Sequence, residues 1–497
     1  MSLTRRAFLI RSLRATAGAA VIGVFGRPPS GLAAPSGAPK VQVQDFSDDQ
    51  PPAGPFDSAP RALPAGTTHV GIHWRGEARG NASVFARTSP DGHGWSEWVE
   101  LALDDAPFGG DETFAALIDT RGAGYVQYRV NLPGGRRLDR VTVTAIGADT
   151  QTSPSATRTT ATGTPSAGGP SGSFTTLDDK SRKFYTREDW GCDESLGLNG
   201  STRIWPAMFV RTLKVVVHHT ATSNTYTDGA AEVRAIYTYH AKTKGWGDIG
   251  YNSLVDRFGY IYEGRRGREG SPREYLSAGV VAGHCYHHNY GSTGVAVIGD
   301  FTKRKLNLSN TNDQNMVAAL EDVVVYECGR TGMQPNASSD FLKSDDTWHA
   351  AMPTMTGHKD SEATLCPGTP LENYVTGTLR TNATNRLAPL ATPAVTLSHP
   401  SSNQASSSDT LAFSWTDAAN YRYRMEGWRK VNSDDIEYWS GGTNWSPTEV
   451  TGWTSGSGNG QVSFSGLPSG HFTFHVQGYD ASGKASSVEA NFTVLVK

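Results

Sequence analysis

The chain has 497 residues, 37% of them hydrophobic, and a formal net charge of −3 at pH 7. This length exceeds what one hydrophobic core organises, so we expect several domains. The charge argues against nucleic acid as a partner, because phosphate binding relies on clustered Lys and Arg. Beyond the N-terminus no stretch approaches the ~20 apolar residues of a membrane-spanning helix, so none is expected in the mature chain.

The N-terminus has the features of a bacterial twin-arginine export signal. Arg5 and Arg6 precede a short apolar segment, and small residues follow at 31–34. A paired arginine before such a segment and a small-residue cleavage site is typical of these signals. We therefore predict that residues 1–34 are a signal peptide and that the protein is secreted or located at the cell wall. A chance basic terminus is the alternative.

The next region reads as an all-β domain followed by a linker. Residues 40–148 alternate short apolar strands, such as 70–74 and 125–130, with turns rich in glycine and proline. This pattern predicts an antiparallel β-sandwich. Residues 149–179 consist almost entirely of Thr, Ser, Ala, Gly and Pro, which cannot bury a core, so they predict a flexible linker.

Residues 180–385 change to strands that alternate with helices. Asp228 is placed to cap a helix that ends at Gly245, and a second helix is expected to stop at Gly329. Strands are expected between the two helices, at 253–255, 260–262 and 294–298. This order predicts a central mixed α/β domain with a β-sheet flanked by helices.

The β pattern returns at residues 393–497. Phe472, Phe474 and Val476 alternate with polar residues, which places them on one face of a strand. With the turns at 467–470 and 479–483, this strand resembles the end of a fibronectin type III-like β-sandwich, which is the fold we expect here. The region also contains several tryptophans, for which we favour core packing over sugar binding: Trp428, Trp439, Trp445 and Trp453.

Three residues far apart in the sequence have the types that a catalytic zinc ion uses. His218 ends the apolar run 215–217, and His358 and Cys366 lie eight residues apart in a loop flanked by glycine and proline. Zinc binds neutral imidazole and thiolate, and hydrolytic sites use three protein ligands with water in the fourth position. Each residue alone also has a structural interpretation, since cysteine often behaves as a small buried hydrophobe. Together the three predict a Zn²⁺ site.

Several segments that contain these residues resemble peptidoglycan recognition proteins. That family includes zinc-dependent N-acetylmuramoyl-L-alanine amidases (type 2 amidases) of bacteria and phages. The resemblance covers about residues 181–375, in the family's order, and implies nothing about the flanking regions. The matching segments are 215–221 (VVVHHTA), 247–252 (GDIGYN), 295–301 (VAVIGDF), 357–360 (GHKD) and 366–368 (CPG).

The resemblance implies roles for five residues. The family's zinc ligands fall on His218, His358 and Cys366, and its catalytic tyrosine falls on Tyr251. Tyr251 is expected to donate a hydrogen bond to the oxygen that gains charge in the tetrahedral intermediate; an ordinary strand tyrosine is the alternative. Some members have lysine two residues before the cysteine, where this chain has Thr364. A hydroxyl supplies no positive charge, so any role of Thr364 must be hydrogen bonding.

The resemblance also implies residues that border the substrate groove. His284 and Asn289 are expected there, His284 as a contact to the muropeptide, whereas His287 and His288 are expected to be solvated. Trp246 is expected to line the cleft, with a buried structural aromatic as an equal alternative.

Two further features have structural and functional interpretations. Strand alternation should point His219 away from His218, either as a structural histidine or as a groove residue. Arg265, Arg266 and Arg268 form a basic cluster. We interpret this cluster as a solvated loop, with contact to a stem-peptide carboxylate as the alternative.

The cysteine count is low for a chain of this length. Four cysteines do not make a disulfide scaffold. If Cys366 binds metal, one bridge is possible among Cys192, Cys285 and Cys328, and the sequence leaves the pairing open.

The leading hypothesis is a secreted zinc hydrolase that cleaves the amide bond between N-acetylmuramic acid and L-alanine in peptidoglycan. The main alternative is a recognition protein that binds wall fragments without cutting them. A third possibility is a zinc hydrolase acting on another amide, such as a soluble muropeptide. Peptidoglycan or muropeptides are the expected partners, and the sequence leaves the oligomeric state open.

Overall fold

A computed structural model describes most of the chain outside its first 40 residues. The described residues are 41–76, 82–103, 112–132, 134, 136–148, 184–267, 279–331, 333–387 and, from 396 on, the strands given below with a few neighbouring positions. The expected signal peptide and linker lie outside them. In the part of the chain that is described, no helix combines the length and apolarity needed to cross a membrane.

The N-terminal β region, residues 41–148, contains two antiparallel sheets that share one core. One sheet has the order β1-β10-β4-β7 with β8 on β4, and the other has the order β2-β9-β5-β6 with β3 on β9. Val70 and Ile72 from the first sheet pack with Val84 and Val130 from the second. The strands are β1 Gln42–Asp49, β2 Phe56–Asp57, β3 Arg61–Ala62, β4 His69–Arg75, β5 Ser83–Ser89, β6 Val99–Glu100, β7 Glu112–Phe114, β8 Ile118–Asp119, β9 Tyr125–Asn131 and β10 Arg140–Gly147.

The central region, residues 184–387, is built on a mixed sheet with the order β11-β16-β15-β17-β14-β20. Its strands, with two small hairpins, are β11 Phe184–Tyr185, β12 Leu198–Asn199, β13 Thr202–Arg203, β14 Lys214–His219, β15 Ser253–Val255, β16 Ile261–Glu263, β17 Ser292–Val297, β18 Ser338–Leu342, β19 Trp348–Pro353 and β20 Met355–Gly357. The α-helices are α1 Gly229–Thr238, α2 Thr311–Thr331, α3 Thr369–Tyr374 and α4 Arg380–Arg386. The expected mixed sheet with flanking helices is confirmed for this region.

Helices α1 and α2 cover separate parts of this core. Val217 of β14 packs in one cluster with Leu320 of α2. Ala296 of β17 packs in another with Val233 and Ile236 of α1. Strands buried on both faces read as continuous apolar runs, which explains the valines that precede His218.

The predicted helix ends have different outcomes. Asp228 caps α1 as expected, its Oδ1 accepting from the backbone N–H groups of Ala230 and Ala231 at 2.9 and 3.2 Å. The helix continues as a π-helical turn, Tyr239–Thr243, before Gly245. The predicted stop at Gly329 is wrong, because α2 runs to Thr331. Burial of the last turn against the core outweighs the roughly 1 kcal/mol that glycine costs inside a helix.

The C-terminal β region, residues 396–496, contains a three-stranded sheet, β21-β23-β28, and a larger one, β22-β30-β29-β24-β25-β26 with β27 on β24. Trp428 is buried, and it packs with Tyr438 against Val210 and Val281 of the central region. The strands are β21 Thr396–His399, β22 Gln404–Ser406, β23 Leu411–Thr416, β24 Arg422–Lys430, β25 Ile436–Gly441, β26 Asn444–Ser446, β27 Thr454–Ser457, β28 Gly460–Phe464, β29 Gly470–Tyr479 and β30 Ala485–Val496. Trp453 lies outside the described residues.

Candidate metal centre

Strand register brings His218 and His358 together. Strands β14 and β20 are parallel, and Val217 pairs with Gly357. His358 follows Gly357 directly, so both imidazoles lie at the same edge of the sheet, with ring centroids 4.4 Å apart. The Sγ atom of Cys366 lies 3.7 Å from Nδ1 of His218. One potential ligand atom from each of His218, His358 and Cys366 lies within 4.8 Å of the other two.

A chain of hydrogen bonds sets the tautomer of His218. The hydroxyl of Ser292 donates its single hydrogen to the carbonyl oxygen of His288, which can only accept. Ser292 Oγ therefore accepts from Nε2–H of His284, at 3.2 Å. The remaining ring nitrogen of His284, Nδ1, then accepts from Nε2–H of His218 at 2.9 Å. This leaves Nδ1 of His218 with a lone pair on the side of Cys366.

Burial keeps these imidazoles neutral. It lowers the pKa of His218 well below its ordinary value of 6.5, and the neighbouring His358 and His284 lower it further. Burial also lowers the pKa of His284 to about 3, with His358 contributing. Near neutral pH both rings are therefore uncharged, which is the protonation state that a metal-binding imidazole needs.

Two backbone contacts fix the loop that carries Cys366. The backbone N–H of His219 donates to Cys366 Sγ at 3.3 Å, a contact that favours the thiolate. The hydroxyl oxygen of Thr364 accepts from the backbone N–H of Cys366 at 3.0 Å. The structure thus gives Thr364 a hydrogen-bonding role in the loop, while its action on a reacting water stays a prediction.

The residues fit a zinc ion. Both ring nitrogens of His358 are buried, and neither has a hydrogen-bond partner among the described residues. Buried polar atoms normally have a partner, so these nitrogens are consistent with a metal ligand. A second possible group contains Cys285, His358 and Glu362. It is the poorer site, because burial and the charge of Glu362 raise the pKa of the Cys285 thiol well above 9.0 and so disfavour the thiolate.

Tyr251 faces the same pocket as the three ligand residues. Its ring centroid lies 5.6 Å from that of His218. The adjoining backbone is held on both sides: Gly250 N–H donates to Nδ1 of His240 at 3.1 Å, and Asn252 Oδ1 accepts from Gly294 N–H at 2.8 Å. These contacts explain why the Gly-Tyr-Asn segment places its tyrosine beside the ligand set.

Comparison with known proteins places the central region in a family. Residues 210–369 match the N-acetylmuramoyl-L-alanine amidase family. The chain is 27% identical over 164 residues to peptidoglycan-recognition protein SC1a of Drosophila melanogaster, a match that covers 33% of this chain and 71% of that protein. The central region belongs to the peptidoglycan recognition and type 2 amidase family.

Two further similarities are more limited in extent or in fit. Over 90 residues the chain is 38% identical to the N-acetylmuramoyl-L-alanine amidase of Homo sapiens, which covers 17% of this chain and only 14% of the human protein. Among solved structures, Drosophila PGRP-LB aligns with a TM-score of 0.29 and 20% identity, over 39% of this chain and 92% of that one.

Of the residues expected to border the substrate groove, two line the pocket and one holds the backbone of a neighbouring loop. Trp246 is buried yet lines the pocket, with its ring 4.7 Å from that of His240. His284 also lines the pocket, and its ring holds His218 as described above. Asn289 Oδ1 accepts from the backbone N–H groups of His284 and Cys285, which shapes this loop. Muropeptide contacts by Trp246, His284 and Asn289 stay predictions.

The expectation of a solvated His288 is wrong, since its ring is buried and stacks on the ring of Phe341.

The first arginine of the basic cluster, Arg265, is not solvated. Arg265 is only 2% exposed and donates to Asp248 Oδ2 at 2.6 Å. The other carboxylate oxygen of Asp248 accepts from Arg187 at 3.0 Å. A buried carboxylate between two guanidinium groups holds the loop before Tyr251, so Arg265 is a structural residue here. Arg268 lies outside the described residues.

Sequence reasoning missed residues that act through His218 and His284. No sequence motif marked Ser292 or Gly294, because each contacts the ring of His284 only in the folded chain. A Cβ on Gly294 would lie 2.3 Å from the ring of His284, so this position must stay small. His219 has a structural contact, since its Nδ1 accepts from the backbone N–H of Phe301 at 3.1 Å, and it also lines the pocket together with His218. Cys192 and Cys285 are both free thiols, which leaves no pair among the three cysteines considered.

Proposed function

We propose that this protein is a zinc-dependent N-acetylmuramoyl-L-alanine amidase, acting on the bond between the muramoyl lactyl group and L-alanine. The observation that carries the proposal is the ligand set: His218 presents a lone pair toward Cys366, and both ring nitrogens of His358 lack hydrogen-bond partners among the described residues. Membership of the amidase family supports the same conclusion.

Zinc bound by two imidazoles and one thiolate would carry one net positive charge, and it would acidify water and polarise an amide carbonyl. The residues of the chain supply the rest. His284 keeps the proton of His218 on Nε2, so that the other nitrogen stays available. The N–H of His219 stabilises negative charge on Cys366. Tyr251 lies beside this set, where its hydroxyl can donate to the oxygen of a tetrahedral intermediate.

A binding protein without catalysis is the competing function. Members of that kind commonly lack the cysteine ligand, and here Cys366 is present, buried and placed beside His218. Zinc content distinguishes the two functions: less than about half an equivalent after purification without chelator would favour the binder.

The direct test is digestion of purified peptidoglycan by the full chain, followed by mass analysis of the products. We expect released peptides with a new alanine N-terminus. His358→Ala should lose this activity together with zinc, whereas His93→Ala, which removes an exposed histidine of the N-terminal β region, should retain both. No release by zinc-loaded protein, or equal activity of wild type and His358→Ala, would contradict the proposal.

The domain boundaries and the location of the protein are part of the same proposal. We infer a secreted enzyme, exported by the twin-arginine pathway, in which two β-sandwich domains flank the amidase domain. The two sheets with a shared core in the N-terminal β region support this arrangement. Mass analysis of the mature N-terminus tests the export signal, which predicts cleavage close to Ala34.

A further inference from the structure

The pocket of the candidate metal centre is not formed by the amidase-family domain alone. Leu103 and Ala116, both from the N-terminal β region, line it together with His218, Tyr251 and Trp246. Ala116 is 9% exposed, and its backbone N–H donates to the carbonyl oxygen of Ala102, next to Leu103. The matched family segment covers residues 210–369, so the wall formed by Leu103 and Ala116 lies outside that segment.

A buried charge cluster fixes the N-terminal β region to helix α1. Glu232 of α1 is fully buried; its carboxylate accepts from His69 at 3.1 Å and from Arg121 at 2.8 Å. Burial raises the pKa of Glu232, but the hydrogen bond from His69 and the charge of Arg121 outweigh it, so the net shift is downward and the group stays ionised. Because both partners of this carboxylate come from the other region, these hydrogen bonds exist only while the two regions are in contact.

A second set of contacts joins the wall to the groove itself. The hydroxyl of Tyr239, the residue before His240, donates to the carbonyl oxygen of Ala115 at 2.8 Å. Gly71 of β4 allows this approach, since a Cβ there would lie 2.3 Å from the ring of Tyr239. Apolar residues of both regions complete the contact and form one cluster: Leu117, Ile146, Ala148, Val233, Ile236 and Tyr239.

We propose that the N-terminal β region is a permanent part of the substrate site, and that Leu103 and Ala116 select muropeptides with methyl-sized groups beside the scissile amide. The proposal rests on the function proposed above for its substrate class. Its physical basis is that these two apolar side chains line the same pocket as Trp246 and Tyr251. An apolar lining of this kind favours methyl groups, as in lactyl and alanyl units, over larger ones.

The test uses the full chain with Tyr251→Phe, so that turnover is slow enough for binding to be measured. Calorimetry with N-acetylmuramoyl-L-alanyl-D-isoglutamine gives Kd for this background and for the same protein with Ala116→Leu. We expect Ala116→Leu to weaken binding at least tenfold, with Tm and zinc content unchanged. In the active enzyme, Leu103→Ala should raise kcat/KM for an L-valyl analogue relative to the L-alanyl substrate.

A third variant tests the docking of the region. Gly71→Ala should push Tyr239 away and weaken binding as well, whereas Gly94→Ala is its matched control, because a Cβ there meets only one atom at 4.0 Å. If Gly71→Ala fails to fold, the Ala116→Leu result stands by itself.

The outcomes separate this proposal from the proposed function. If the wild type binds but never cleaves, and Ala116→Leu weakens binding, the wall is supported and the amidase activity is wrong. If the wild type cleaves and Ala116→Leu changes Kd less than twofold, the wall is wrong and the amidase stands. A wild type that neither binds this muropeptide nor cleaves purified peptidoglycan overturns both.

Discussion

The hydrogen bond between His284 and His218 leads to the sharpest prediction. In His284→Ala, Nε2–H of His218 loses the acceptor that lies 2.9 Å away, in a site where both rings are buried. An N–H left buried without an acceptor costs about 1–3 kcal/mol. The imidazole of His218 can then also carry its proton on Nδ1, which removes the lone pair that faces Cys366. We therefore expect zinc affinity to fall roughly 10- to 100-fold, the range typical of lost partners of metal-binding histidines.

The assay is a zinc titration of the full chain against a competing chelator at neutral pH, with Tm followed in parallel. His284→Asn is the matched variant, because its Oδ1 stands at the same position along the side chain as Nδ1 of histidine and can accept the same hydrogen bond. It should recover most of the lost affinity. A His284→Ala protein that binds zinc within twofold of wild type would refute the proposed relay through Ser292, His284 and His218.

Three further predictions concern other parts of the central region. Tyr251→Phe should lower kcat about 10²- to 10³-fold in a muropeptide cleavage assay and leave zinc content unchanged; an unaltered kcat would remove the tyrosine from the chemistry. Burial raises the pKa of Glu263 from 4.5 to about 7, so the folded state keeps a proton that the unfolded state releases. The free energy of unfolding should therefore fall by about 3 kcal/mol as the pH rises from below 4.5 to above 7. Glu263→Gln should abolish this pH dependence when unfolding is measured in urea. Glu232→Ala, which leaves the buried His69 without its carboxylate while Arg121 keeps Asp119, should cost about 1–3 kcal/mol by the same assay; a loss below about 1 kcal/mol would contradict the buried cluster.

Local signals in the sequence were sufficient for some of these features. Asp228 caps its helix because a short acidic side chain before an apolar, helical pattern satisfies the first N–H groups wherever the helix lies. The apolar run before His218 indicated a buried strand, because strands buried on both faces read as continuous apolar runs. The grouping of His218, His358 and Cys366 came from motif resemblance, and the register of β14 and β20 supplies its physical cause.

Other features depend on partners that are distant in sequence. Arg265 looked solvated within its basic run, but Asp248 and the backbone around it make a buried site for its charge. Gly329 looked like a helix end, but packing of the last turn continues α2 beyond it.

The sequence by itself therefore determined which chemical groups are available: the ligand types, the tyrosine, the cap and the apolar strands. Only the tertiary structure decided which nitrogen of His218 is available, through Ser292 and His284, and that Leu103 and Ala116 face the same pocket. The reason is physical. Propensity and periodicity act over a few neighbouring residues, whereas a tautomer and a pocket wall are set by contacts that exist only after the chain has folded.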